Sequence, residues 1–411
     1  MVTTNPDNFI RTSKAPWIDV SRTLADLRNP TFASFLDLAR WTCAWIVFLG
    51  HLRNPLFFGF ESVAAADRGF LVTVWFFVTG WFGEAVIVFF VLSGYLVGAS
   101  ACAKASLGRF SARDYAIDRA SRIFLPFIPA LLLTALCDGA GMTFFSDLGF
   151  YSGAHPMIHE KVHSAPFASY FTLETFGLNL AMLQTIVAPA FGSNQPLWTI
   201  SLEFWFYVTF GVALAGVVAA KPAQRWVGVL GSLVIAAMLG PGFPIFLGLW
   251  LIGVAAGFAD AAQLERPRIA CAAFFSLLVG LRLFKGIYGL DDHLVMTRNY
   301  LVALAFAWLL ISMRGVHWRG LEATHRFNAF LASFSYSLYL IHFPLMLLLL
   351  GALHATGEFP GIASGYAPSN GRGLFAYVGV AAAVGLSAYI FARLTEAQTS
   401  RLRARMKALL P

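Results

Sequence analysis

Residues 32–56 read FASFLDLARWTCAWIVFLGHLRNPL, and this run decides the fold. It is apolar over the roughly 20 residues a helix needs to cross about 30 Å of hydrocarbon, yet it carries Asp37, Arg40 and His51. At 3.6 residues per turn the step from Asp37 to Arg40 is one turn and that from Arg40 to His51 about three, so the three side chains share one face. At ~1.5 Å per residue, Arg40 and His51 stand roughly 16 Å apart along the axis. Charges inside a span are costly unless paired or hydrated, which makes this face the first place to look for function.

The rest of the chain fits a membrane reading. Its 411 residues are 58% hydrophobic and 12% charged, with a mean hydropathy of +0.69, whereas soluble domains carry about 25% charged residues. An aromatic share of 15% excludes a disordered or acidic solvating chain. The net charge of +8 has no basic stripe interleaved with aromatics, so nucleic acid is not an expected partner. Cys43, Cys102, Cys137 and Cys271 show no CxxC spacing and read as small core hydrophobes, with neither a disulfide framework nor a metal site. Residues 1–31 carry Arg11, Lys14, Arg22 and Arg28 and lack a compact apolar core before a small-residue cleavage site, so no cleaved signal peptide is expected.

Eleven apolar runs are candidates, near 32–56, 83–103, 120–137, 168–190, 197–219, 226–240, 243–259, 269–285, 299–313, 329–353 and 374–393. The fourth contains Glu174, Asn179 and Gln184 and ends in Gly-Ser-Asn-Gln-Pro at 192–196. If it crosses, Lys221, Arg225 and the loops after them take the wrong sign for the bias of Lys and Arg toward the cytoplasm. Treated as re-entrant or interfacial, it leaves about ten crossings with both termini inside, and the inside loops then hold 21 of the 29 basic residues. The expectation is an all-α polytopic membrane bundle, with a cytoplasmic segment 1–31, a transmembrane domain 32–395 and a basic cytoplasmic tail 396–411. The segment 69–82 is too short to span and reads as interfacial. The outer loops 57–82, 138–167 and 354–373 are rich in aromatics, Gly and Pro and would suit a lid or acceptor rim.

Few other ionisable groups enter the spans. Glu203 lies in Pro196-Leu-Trp-Thr-Ile-Ser-Leu-Glu-Phe-Trp-Phe-Tyr207, where a carboxylate needs a cationic or hydrogen-bonding partner; a clamp between helices is an equal alternative to chemistry. His342 lies in Ser335-Tyr-Ser-Leu-Tyr-Leu-Ile-His-Phe-Pro344. It reads first as a satisfied core histidine, with Ser337 and Tyr339 bonding between helices. Arg119 and Arg122, one turn apart at the start of the third span, suit phosphate groups or serve as positive-inside anchors. Asp37 and Arg40 also admit a purely structural ion pair.

Five motifs in order resemble the acyltransferase 3 family of integral-membrane acyltransferases. They are Arg40-x10-His51 preceded by Asp37, Gly83 with Phe89-Phe-Val-Leu-Ser-Gly-Tyr95, Arg119-x-x-Arg122-Ile-x-x-Pro126, Pro196-x-Trp198-Thr-x-Ser-x-Glu203 with Phe206-Tyr207, and Ser335-Tyr-Ser-Leu-Tyr-Leu-x-His-x-Pro344. They cover about residues 32–395. The resemblance implies transfer of an acyl group, commonly acetyl, from cytoplasmic acyl-CoA to a hydroxyl on a carbohydrate or other acceptor, and functional roles for Arg40, His51, Arg119 and Arg122. Three positions depart from the pattern: Asp118 stands where a second basic residue is common, Phe204 and Trp205 where polar residues are frequent, and Thr199 in place of Ser. No hydrolase-like domain is expected after the membrane part.

Acyl transfer from a thioester to an alcohol needs a base, an anchor for a highly charged donor and stabilisation of an oxyanion. His51 is the expected base, with Arg40 and Glu203 as the other expected catalytic residues and Asp37, Ser93, Trp198, Tyr339 and His342 in support. Arg119 and Arg122 are expected to hold the phosphates of acyl-CoA, which the resemblance implies is acetyl-CoA, with Arg40 guiding the donor or stabilising charge deeper in the site and no metal. Ser93, Trp198 and Tyr339 are candidate oxyanion donors, and direct transfer and an acyl-histidine are both open. The expected setting is multi-pass in a bacterial inner membrane. The competing class is a transporter or flippase of a saccharide or lipid-linked substrate, since charged groups also line transport paths; a scaffold with paired buried charges is a third. Thiol release from acyl-CoA separates the enzyme from both.

Overall fold

The computed structural model describes residues 26–65, 68–158, 166–259, 264–288 and 292–409. These form an all-α bundle, with two isolated backbone bridges and no strand among the described residues. The expected N-terminal segment falls largely outside them.

Helix α1 (Pro30–Leu56) starts where the Asn29 side chain accepts from the amides of Thr31 and Phe32, with proline in the first turn, satisfying donors that a helix start leaves open. The short α2 (Phe70–Thr79) is ten residues long. Helix α3 (Phe82–Ser93) runs through a π-helical turn (Gly94–Ala99) into α4 (Ser100–Ser106). Next come α5 (Ala112–Phe144), α6 (Leu173–Leu180) and α7 (Trp198–Val218). They are followed by α8 (Pro222–Met238), α9 (Gly242–Ala256), α10 (Pro267–Tyr288) and α11 (Asp292–Ser312). Two short helices, α12 (Arg319–Ala323) and α13 (His325–Ala332), lead to α14 (Ser335–Ala355), α15 (Gly371–Leu394) and α16 (Thr399–Leu409).

By length and composition, eight described helices can cross a bilayer. The sixth and seventh apolar runs fall on α8 and α9, of 17 and 15 residues, or roughly 26 and 23 Å at 1.5 Å per residue. The third run proves longer than expected: α5 is continuous for 33 residues through Pro126 and Pro129 and extends past the apolar stretch at both ends.

The fourth run forms no helix long enough to cross a bilayer. It forms the eight-residue α6 and then an irregular loop, and its polar residues satisfy that loop's backbone. Asn179 donates to the carbonyls of Thr175 and Pro189 and accepts from the Phe191 amide, and Gln184 donates to the Leu197 carbonyl. Asp138 on α5 accepts from the amide and hydroxyl of Ser193, while Asn194 donates to Thr134 and to the Leu340 carbonyl. Irregular backbone survives at such depth only when enclosed by protein in this way.

Of the cysteines, Cys43 and Cys137 are buried and Cys102 is half-buried, but Cys271 is exposed on α10. It is no core residue, because α10 packs mainly against α11 and leaves most of its circumference open.

Candidate active site

A cavity of about 270 Å3 opens between α1, α3, α5, α7 and α14, and Arg40, Arg119, Arg122, Ser93, Glu203 and Tyr339 all line it. A second chamber of about 460 Å3 shares Arg40 and Arg122 with the first and adds Asp37, Arg393 and Glu396. The start of α1, the start of α5 and the end of α15 therefore meet at one end of the bundle. Two arginines form the partition between an outer vestibule and an inner chamber.

Each arginine is held differently. Arg40 Nη1 lies 3.4 Å from Asp37 Oδ1, one turn back on the same helix. The Arg122 guanidinium lies 2.9 Å from Glu396 Oε1 and over the Tyr336 ring at 5.5 Å. Arg119 sits over the Tyr207 ring at 5.8 Å, and its Nε is buried with no hydrogen-bond partner, as is the Tyr336 hydroxyl. Buried polar atoms are normally paired, and both of these orphaned ones belong to residues that line the first chamber.

Glu203 finds its partner one turn ahead. The Tyr207 hydroxyl donates to Glu203 Oε1 at 2.5 Å, Ser93 Oγ lies 2.9 Å from the Tyr207 hydroxyl, and the Trp250 indole donates to Ser93 Oγ at 3.1 Å. Because the indole can only donate, the Ser93 proton points to Tyr207 and the Tyr207 proton to Glu203, giving one direction along the whole chain. Close backbone contact makes this possible: a Cβ at Gly94 would strike the Trp250 carbonyl, and one at Gly253 the Val91 carbonyl. The π-helical turn begins at Gly94 itself, a local widening that recurs at functional sites.

The two histidines form a separate pair. His51 Nδ1 lies 2.9 Å from His342 Nε2, with the rings stacked at 5.2 Å and 11°. His342 Nδ1 faces the carbonyls of Tyr339 at 2.8 Å and Leu338 at 3.1 Å. A ring nitrogen facing carbonyl oxygens must carry a proton, so in neutral His342 Nε2 is the acceptor and His51 donates from Nδ1. The lone pair of the neutral His51 ring is thereby assigned to Nε2.

Neither histidine lines the cavity. Tyr339, whose ring is 5.8 Å from that of His342 and 6.0 Å from that of Phe89, stands between them and the chamber. The oxyanion candidates divide in the same way. The Tyr339 hydroxyl donates to the Pro196 carbonyl at 3.2 Å and accepts from Thr199; Ser93 is committed to Tyr207; and the Trp198 ring packs on Phe90 and Phe246, outside the cavity lining. Ser337 bonds between elements to Glu396 Oε2 at 3.0 Å. Sequence reasoning did not single out Tyr336, Trp250, Arg393 or Glu396. The one available signal was Glu396 as a lone acid among Arg393, Arg401, Arg403, Arg405 and Lys407.

Asp118 is answered from the chain's other end. Arg403 lies 3.2 Å and Lys407 3.1 Å from its carboxylate, and Lys407 also reaches Asp114. Helix α16 thus lies along the start of α5, beside Arg119 and Arg122.

The model of a family described as an acyltransferase domain matches residues 34–392. A protein named O-acetyl transferase, from Shigella phage Sf6, is 26% identical over 340 residues, covering 79% of this chain and 87% of that one. No solved structure matches.

Proposed function

From the premise that this chain belongs to the acyltransferase 3 family, we propose that it is an acyl-CoA-dependent O-acetyltransferase of a bacterial inner membrane acting on a carbohydrate hydroxyl. The acetyl group follows the name of the phage relative. The observation that carries the reading is the two-chamber cavity with Arg40 and Arg122 on its partition and Arg119 inside. Clustered guanidiniums bind phosphates bidentately, and a narrow inner chamber below a charged vestibule suits a pantetheine arm below a nucleotide diphosphate.

In this mechanism the vestibule faces the cytoplasm and Arg393 adds to the cations at its rim. His51 Nε2 takes the acceptor's hydroxyl proton as its oxygen attacks the thioester carbonyl. The C–S bond breaks, the new ester forms, and the CoA sulfur leaves and is protonated. For the thioester to reach His51, the Phe89 and Tyr339 side chains must swing aside. Arg40, roughly 16 Å from His51 along α1, holds donor phosphate charge together with Arg119 and Arg122, and the Ser93 and Tyr339 protons are already engaged. No step calls for a metal.

The test is release of free thiol from acetyl-CoA by purified protein supplied with an envelope glycan fraction, alongside mass spectrometry of glycans from a deletion strain. Thiol release that depends on the acceptor, with an acetyl-sized mass lost from one glycan, is expected. Glycan flux without acetyl-CoA, or no thiol release from any short acyl-CoA, would overturn the proposal in favour of a carrier.

A further inference from the structure

The opposite face of α1 borders a third cavity, far larger than the other two. Phe35, Leu38, Ala39, Thr42, Cys43 and Ile46 recur at helical spacing along it, facing Phe274, Phe275 and Leu278 of α10 across a cleft of about 1150 Å3. That volume is at or above the upper end of the ~300–1,000 Å3 usual for small-molecule pockets, and no residue lining it lines either donor chamber. From Phe35 to Ile46 the stripe runs about 16 Å at 1.5 Å per residue, and the cleft continues to Val78 and Trp81 at the far end of the bundle.

Its two ends differ. The start of α10 and the segment after α11 bring Arg268, His317 and Trp318 to one mouth; His317 Nδ1 lies 3.7 Å from Glu322 Oε1, and Arg268, the cation left over, has no ion pair among the described residues. At the other end Glu84 is already matched by Arg298 at 3.4 Å. A long apolar slot with surplus positive charge and an indole at one mouth complements a molecule with a long hydrocarbon tail and one anionic head. Basic pockets between membrane helices hold lipid head groups by the same logic, and Trp favours the head-group level.

We propose that this cleft holds one anionic phospholipid of the surrounding bilayer, its phosphate between Arg268 and His317 and an acyl chain along the Phe35–Ile46 stripe. The lipid wedges α10 against α1 and supports, from behind, the helix whose other face carries Arg40 and His51.

The experiment purifies the full chain from membranes in mild detergent, quantifies retained phospholipid by class, and measures competition between phosphatidylglycerol and phosphatidylcholine added back after delipidation. Expected are about one tightly held phosphatidylglycerol per chain, preference for it over phosphatidylcholine, and a loss of about fivefold in that preference for Arg268→Ala, as for one basic group near a charged head. Ala272→Trp, which fills the slot and leaves the head-group site, should displace the lipid from a protein that stays monodisperse. Equal retention of both lipid classes, or unchanged phosphatidylglycerol binding in Ala272→Trp, would overturn the proposal. These readouts involve no acyl donor and stand apart from the enzymatic reading.

Discussion

His51 on α1 and His342 on α14 meet ring to ring, 2.9 Å between Nδ1 and Nε2, and the second histidine is itself oriented by two carbonyls of its own helix. The arrangement passes tautomer information from a helix backbone to the proposed base. His51→Ala is expected to abolish turnover in a folded protein, consistent with the ~10²–10⁴-fold that general-base catalysis contributes. His342 is a positioning residue: His342→Ala should lower kcat by roughly 10–100-fold, at the lower end of that range, with the donor KM unmoved. His342→Gln retains both an acceptor for His51 and a donor for the carbonyls and should recover part of the loss. Parent-like kcat in His342→Ala would show that the pair only packs the helices.

Arg122 cannot satisfy Glu396 and a donor phosphate equally. In the structure its guanidinium is 2.9 Å from that carboxylate. Glu396→Gln removes the competing charge and keeps a side-chain oxygen for the Ser337 hydroxyl. Acyl-CoA should therefore bind about fivefold more tightly, the equivalent of one part-exposed ion pair of ~1 kcal/mol, while Arg122→Ala binds more weakly. Calorimetric titration with a non-hydrolysable acyl-CoA distinguishes the outcomes; weaker binding by Glu396→Gln would mean that the carboxylate positions Arg122 and does not compete with the donor.

What was legible from sequence was what repeats or costs energy. Apolar runs located the bundle, and the side-chain polarity of Asn179 and Gln184 marked the run that forms no long helix, because those groups must bond to something and here they bond to a loop. Spacing placed Asp37 and Arg40 within ion-pair reach. The contacts that complete the chambers were illegible for the opposite reason. Glu396 and Arg122 are 274 positions apart, Trp250 and Ser93 157, and nothing local in either partner specifies the other. Nor does spacing on α1 show that Phe89 and Tyr339 lie between the chamber and the histidine pair.

The terminal helix supplies charge that Asp118 removes. With Arg403 and Lys407 both within 3.2 Å of it, Asp118 presents little net charge to a donor bound at Arg119 and Arg122. The double variant Arg403→Ala/Lys407→Ala exposes that carboxylate and should weaken acyl-CoA binding by up to about tenfold, the order of two exposed pairs at ~0.2–1 kcal/mol each. Adding Asp118→Asn should restore it. If the triple variant binds no better than the double, α16 acts through packing and not through charge.

The loop around His155 and the segment around Ile362 are expected to separate on acidification. His155 is buried; its Nε2 donates to the Ile362 carbonyl at 2.7 Å, and its Nδ1 accepts from the Met157 amide at 3.3 Å. A second ring proton would point Nδ1–H at that amide, and burial holds the His155 pKa below its ordinary value. The folded loop therefore binds fewer protons than the opened one between its own depressed pKa and about 6.5, the ordinary histidine value. Over that interval stability rises with pH, and it is progressively lost as pH falls. Protection against hydrogen exchange at residues 149–158 and 359–366, taken relative to the intrinsic amide rate at each pH, should fall on acidification from pH 7.5 to 5.5. The fall should vanish in His155→Gln, which offers a donor to Ile362 and cannot take up the proton. An unchanged pH response in that variant would place the acid sensitivity elsewhere in the rim.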